Sequence, residues 1–319
     1  MKKIALVVLY FGPLPKYTTL FFKSLKYNPS IDLIMFTDQS VGYDGNNLKV
    51  YKTTFSDIVN RIQNCFDFKI VCDRPYKLCD YRPAYGYVFR KELEGYDFWG
   101  HCDLDMILGD VRSFLPDNIL NQYDKIYQHG HMSLYKNTCD NNLRFMISSG
   151  MDYRKVFTTP ISCVFDEVEG IQKKYDLLGI PTYKKRDCAD ISPWHDSFQR
   201  VESYLTEDEK NGFNFRQQVF YWKNGHLQRA YVKENTVMSD EFNYLHFQRR
   251  TMPFKEMDIM DNSFYITRTG IIKKESCKLP TIELIKALNN TRTFGEAKKK
   301  LEYKQYIWKR RMNKYLLKK

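Results

Sequence analysis

None of the eight cysteines has a partner at CxxC spacing, so the sequence offers neither a zinc ribbon nor a thioredoxin-type redox pair. Cys65, Cys72 and Cys79 recur at seven-residue intervals, a spacing that suits burial on a helix face better than a disulfide framework, and a reducing compartment is expected. No apolar run approaches the roughly 18 residues a membrane span requires, and Met1–Tyr10 is too short for a signal peptide and lacks a small-residue cleavage site. The expectation is a cytoplasmic chain. No GxGxxG follows the first apolar segment, which disfavours a nicotinamide-dinucleotide site. Internal repeats and low-complexity linkers are also missing.

What is present is a chain of 319 residues with 43% apolar composition, enough for one large α/β domain with an appended tail. The net charge of +12 and a pI near 9.1 suit anionic partners: nucleic acid, a phospholipid surface or phosphorylated substrates. The 24 tyrosines and 22 phenylalanines suit stacking on bases or sugar rings, and equally an aromatic-rich core.

Residues 3–11 form a continuous apolar, β-branched run, the pattern of a strand buried on both faces of a largely parallel sheet. A helical pattern over 16–26 and a second apolar run over 31–36 complete a strand, helix, strand unit. Its ligand-facing loops lie at the strands' carboxyl ends, which brings Phe11 and Asp38 near one another. Residues 55–66 predict a helix with Thr54 as N-cap. Residues 76–93 predict a helix kinked by Pro83 and Gly86. Two short strands are expected within 125–136, a hairpin at Asn224-Gly225, a strand over 244–248 and a hairpin through 267–270.

The most informative stretch is YDFWGHCDLDMILGDV, residues 96–111. Apolar and aromatic residues lead into Asp103-Leu104-Asp105, which places the acidic pair at or just past a strand's end. At such a transition two carboxylates serve one divalent cation, and Mg²⁺ or Mn²⁺ would offset the charge on a departing nucleoside diphosphate. A DxD is also a common turn former, so it gains weight only from its setting. Downstream, alternation in 243–250 sets His246 on a polar face toward a site or solvent. It is a candidate third metal ligand, with Arg249 or Arg250 able to grip diphosphate oxygens by guanidinium geometry. Asp166 and Glu167 are candidate general bases, and an acidic helix start explains them as well. Asp187, Asp190 and Asp196 are weaker rivals. His129 and His131 lack a third neighbour for zinc in the sequence, and Trp194-His195-Asp196 has no accompanying nucleophile elbow.

The ordered series KLCDYRPAYG, FWGHCDLDMILGDV, GHMSLYKN, FDE and YLHFQRR resembles a family of bacterial glycosyltransferase-like proteins, catalogued as a domain of unknown function and encoded in capsule and O-antigen gene clusters. The resemblance runs from Lys3 to about Arg250. More distantly, a DxD with a late histidine resembles the lipopolysaccharide galactosyltransferases of the GT-A superfamily. It implies an α/β GT-A fold with a mixed, mostly parallel central sheet flanked by helices, and a UDP-sugar donor. It also implies Mn²⁺ or Mg²⁺ at Asp103, Asp105 and His246. By the same resemblance Tyr10, Phe11 and Asp38 contact the uracil and ribose, and Lys77, Asp80 and Arg82 lie against the donor. Galactose, galactofuranose or another hexose is the sugar the resemblance leaves open, and a lipid-linked saccharide is the implied acceptor. Residues 1–275 would be the catalytic domain, with a nucleotide-binding half over 1–110 and an acceptor half over 111–275. Two alternatives remain: a binding protein on a transferase scaffold without its chemistry, and a nucleotidyltransferase, for which FGPLPK after the first strand is a poor phosphate loop.

Residues 276–319 form a basic extension. From Lys298 onward it holds ten Lys or Arg against one Glu, with apolar and aromatic residues interleaved, as in an amphipathic helix lying on anionic lipid. A helix packed on the catalytic domain is the competing expectation, while nucleic acid is not an expected partner because no reading motif accompanies the charge.

Overall fold

The computed structural model describes residues 1–202, 205–248, 250–275, 278–288 and 293–316. The chain divides into two compact units, Met1–Leu104 with Arg112–Arg186, and Asp105–Val111 with Asp187–Lys319.

The first unit is built on a seven-stranded sheet of order β3-β2-β1-β4-β7-β6-β8. Its strands are β1 (Ile4–Tyr10), β2 (Ile31–Thr37), β3 (Leu48–Lys52), β4 (Phe98–Cys102), β6 (Lys125–His129), β7 (Met132–Lys136) and β8 (Thr182–Tyr183), while β5 (Met106–Leu108) belongs to the second unit. β3, β2, β1 and β4 run parallel, β7 is antiparallel to β4 and β6, and β8 is parallel to β6. The mixed, mostly parallel sheet with flanking helices is the α/β class expected. Ile4 to Val8 are all buried, because β1 sits between two parallel neighbours and helices cover both faces.

The helix Phe55–Gln63 starts at Thr54 through a reciprocal capping box with Asp57, which satisfies two backbone donors at its open end. Arg61 near its end forks onto Glu92 at 2.8 and 2.6 Å. The segment expected as one kinked helix is instead a 3-10 helix, Pro75–Ala84, followed by one short α-helix, Tyr85–Val88. Pro83 has no N–H to give, and Gly86 packs so tightly that a Cβ there would lie 2.4 Å from Trp99. Cys65, Cys72 and Cys79 accordingly fall on three separate segments rather than one helix face, and the seven described cysteines are free thiols.

The second unit holds a five-stranded antiparallel sheet, β12-β11-β10-β14-β15, and a small sheet, β5-β13-β9. The strands are β9 (Ala189–Asp190), β10 (Gln218–Lys223), β11 (His226–Lys233), β12 (Thr236–Phe242), β13 (Tyr244–His246), β14 (Ser263–Thr267) and β15 (Gly270–Lys273). Asn224 and Gly225 form the expected two-residue turn between β10 and β11, with φ of 48° and 92°, the left-handed pair that matches strand twist. Ile285, on the helix Ile282–Leu288, packs against Val219, Tyr221, Ala230 and Tyr265. The basic tail forms a helix over Thr293–Leu316, on which Tyr303 and Tyr306 rest against Trp194 while Leu301 and Trp308 stay exposed. Among the described residues no helix is long and apolar enough to cross a membrane.

Candidate functional site

In the first unit, parallel pairing of β1 and β2 brings their carboxyl ends side by side, Tyr10 opposite Thr37. Just beyond, the Gly12 N–H donates to Asp38 Oδ1 at 3.0 Å and Gln39 Nε2 donates to the same oxygen at 2.8 Å. These two bonds, Gln39's first, hold the exposed Asp38 carboxyl below its usual range. Phe11 meets Phe55 edge-on at 5.7 Å. Phe11 and Asp38 thus lie over one end of the sheet, as the strand, helix, strand pattern requires, and Tyr10 ends β1 beside them.

Arg82 ties a second group together. Its guanidinium donates to the Gly130 carbonyl at 2.8 Å and to Asp166 Oδ2 at 2.9 Å, and forms a short ion pair with Asp103. Asp103 follows β4 directly, and its N–H donates to the His131 carbonyl at 2.9 Å. A Cβ on Gly130 would lie 2.6 Å from Asp166 and 2.8 Å from Glu167, so a side chain there would have to push both carboxylates aside. Burial pushes the Asp166 carboxyl up to about 7 against the pull of Arg82. Burial also raises Glu167, but His129 and His131 outweigh it and leave Glu167 lowered, hence ionised. Asp166 keeps only 5% of its side-chain surface open, Glu167 34%.

Lys77 and Asp80 are closed to solvent, each with 0% of its side chain exposed. Lys77 Nζ donates to Asp80 at 2.8 Å, to Val156 O at 2.9 Å and to Ile161 O at 2.6 Å, while Asp80 accepts from the N–H groups of Cys163 and Phe165 at 2.8 and 3.0 Å. The placement of this pair against a donor gives way to another part. With every polar atom spent on the protein, the pair pins the chain that delivers Asp166 and Glu167.

In the second unit, β13 lies between β5 and β9. His246 Nε2 faces Asp105 Oδ1 at 3.3 Å, and Nδ1 faces Asp190 Oδ1 at 2.9 Å. Gln248 Nε2 donates to that Asp190 oxygen at 2.8 Å. His246 is buried, not turned to solvent. Burial alone would depress the imidazole, yet the hydrogen bonds and charges of Asp105 and Asp190 hold its pKa well above an ordinary histidine. Arg250 donates to the carbonyls of Ser192, His195 and Ser197 at 3.1, 2.5 and 3.4 Å, so its expected grip on a diphosphate is replaced by one on the loop after β9. Arg249 lies outside the described residues.

Asp190, a weaker rival for the general base in the sequence, stands beside His246 instead, a placement that a two-residue strand leaves no periodicity to reveal. Sequence reasoning also missed how His129 is aimed: Tyr127 has φ of 63° and the β6–β7 register shifts between Ile126 and His129, a bulge that turns the following side chains. His129 and His131 then stack with ring centroids 5.2 Å apart.

These residues fall within a recognised family. The chain belongs to a family of unknown function (DUF6625), whose model matches residues 6–275. No curated protein matches the chain. Among solved structures it is similar to mouse xyloside xylosyltransferase 1 in its apo form, at 9% identity and a TM-score of 0.40, over 80% of this chain and 100% of that one. It is also similar to the apo form of the glycosyltransferase GlyE of Streptococcus pneumoniae TIGR4, at 10% identity and a TM-score of 0.32, over 59% of this chain and 46% of that one. Neither likeness carries the functional argument, which rests on the residues above.

Proposed function

We propose that the protein is a metal-dependent glycosyltransferase of the GT-A type that moves a hexosyl group from a UDP-sugar to a lipid-linked saccharide of surface-polysaccharide assembly. One observation carries the reading: a buried imidazole, His246, with a carboxylate at each ring nitrogen, Asp105 and Asp190. Carboxylate oxygens with one imidazole nitrogen form a donor set suited to Mn²⁺, and to Mg²⁺ through the oxygens. Asp103 stands two residues before Asp105, so their Cα atoms are at most ~7.6 Å apart by chain geometry. On this reading Asp103, Asp105 and His246 hold the cation, and Asp190 fixes the imidazole from its other nitrogen. When bound, the cation offsets the charge that gathers on the leaving diphosphate.

The chain's own side chains supply the rest. Tyr10 and Phe11 offer aromatic surface to uracil, and Asp38 accepts from a ribose hydroxyl. Arg82 sets the orientation of Asp103 and neutralises the acidic cluster. Of the two candidate bases Glu167 is the better, being ionised and partly open, whereas Asp166 is buried and bonded to Arg82. A base beside the acceptor hydroxyl suits inversion of the anomeric centre.

Calorimetric titration of UDP tests the reading. Binding is expected with Mn²⁺ and is expected to vanish with EDTA. No UDP binding under either condition would sink it.

The C-terminal helix completes the proposal as a contact with an anionic membrane surface, where a lipid-linked acceptor resides. Its exposed Leu301 and Trp308, at 58% and 64%, support this part. A chain ending at residue 296 is expected to lose sedimentation with vesicles containing anionic phospholipid. Undiminished sedimentation rejects the membrane contact.

A further inference from the structure

Between the loop after β9 and the C-terminal helix lies a cavity of about 390 Å³, within one unit of the chain. Trp194 and Tyr306 give it an aromatic wall, their ring centroids 4.8 Å apart, and Arg250, Lys299, Glu302 and Gln305 supply the polar lining. The volume lies in the range of small-molecule sites, roughly 300–1,000 Å³.

The lining chemistry selects among ligands. A lipid chain would call for an apolar wall throughout, and a polyanion for cations alone. Glu302, paired with Lys299 at 2.8 Å, sets an acceptor among the donors. Aromatic surface beside donors and acceptors of both signs matches a sugar ring, which carries C–H groups on one face and hydroxyls that both donate and accept around its edge.

The cavity is also tied to the candidate metal ligands. The Ile191 N–H, next to Asp190, donates to the His246 carbonyl at 3.0 Å. Arg250, four residues past His246, bonds the carbonyls of Ser192, His195 and Ser197 that frame Trp194. The loop carrying Trp194 is therefore an extension of the strand ends that present Asp190 and His246.

We infer that this cavity is the subsite for a pyranose ring of the acceptor, with the packed Trp194–Tyr306 pair as its aromatic wall and Glu302 as a hydroxyl-binding group. The inference rests on the glycosyltransferase reading and adds the place where that substrate docks.

Saturation-transfer NMR and calorimetry on the full chain test it, with the methyl α- and β-pyranosides of glucose, galactose and N-acetylglucosamine as probes. At least one probe is expected to bind. Trp194→Ala is expected to weaken it at least ~10-fold and Trp194→Phe less than ~3-fold, since a ring is kept. Glu302→Ala is expected to weaken it by several-fold with the melting temperature unchanged, which covers the case in which loss of Trp194 releases the helix. UDP binding with Mn²⁺ is expected to be the same in all three variants. If no pyranoside binds, or binding survives in both Trp194→Ala and Glu302→Ala, the subsite is refuted, and UDP binding still decides the transferase reading on its own. Pyranoside binding that depends on Trp194 in a protein that never binds UDP would keep the subsite and reject the transferase.

Discussion

Asp105→Ala is expected to reduce UDP affinity in the presence of Mn²⁺ to the value measured in EDTA, and to lower transfer by at least ~100-fold. The size follows from where Asp105 stands. Its carboxylate is the neighbour of His246 Nε2 at 3.3 Å, and Asp190 serves only the opposite nitrogen. On the proposed reading, removing Asp105 would take an oxygen from the cation, and it removes the carboxylate that faces His246 Nε2. Asp190→Asn makes the informative comparison, because it keeps the size of the side chain and removes the charge that Asp190 sets against His246 Nδ1. Groups that hold a ligand from behind typically contribute about 10–100-fold to affinity or activity, so Asp190→Asn is expected to fall between wild type and Asp105→Ala. Equal UDP affinity for Asp105→Ala and wild type in Mn²⁺ would remove Asp105 from the metal site. Melting temperatures separate these effects from unfolding, because β5 and β13 pair through their backbones and not through either carboxylate.

Signals that act over a few residues were readable in the sequence. The continuous apolar run of β1, the N-cap at Thr54 and the Asn224-Gly225 turn each follow from sterics or hydrogen bonding within a short window, and each is present. The acidic pair was placed at a strand's end, and Asp103 directly follows Cys102, the last residue of β4. The nearness of Phe11 and Asp38 follows from the parallel pairing of two strands that the sequence marks clearly.

Features that depend on distant partners were not readable. The family resemblance sets Lys77 and Asp80 against the donor, but apart from each other their partners lie 79 to 85 residues away. Arg250 looks like a free basic residue, yet it bonds to carbonyls 53 to 58 residues earlier. Asp190 owes its position to a strand of two residues, below any periodicity. The break in residues 76–93 was foreseeable from Pro83, but its form was not, because it depends on Gly86 meeting Trp99 from another strand.

The buried pair carries the second large expected effect. Asp80→Ala is expected to destabilise the protein by ~3–5 kcal/mol, read as a lower urea midpoint, because it leaves the Lys77 ammonium without its counter-charge in a place water does not reach. Two backbone donors, Cys163 and Phe165, lose their acceptor in the same step. Lys77→Met with Asp80→Ala is expected to recover part of the loss, since the uncompensated charge disappears while the two orphaned N–H groups remain. A double variant no more stable than Asp80→Ala would mean that those backbone bonds, and not the charge, dominate. The function should respond as well, since Phe165 precedes Asp166 and Glu167 directly. Asp80→Ala is expected to lower the transfer rate at temperatures where the protein remains folded, while UDP binding with Mn²⁺ keeps its affinity. That split would separate the chain that carries the proposed base from the residues proposed to hold the donor. Parallel loss of both would mean that Asp80 supports the unit as a whole.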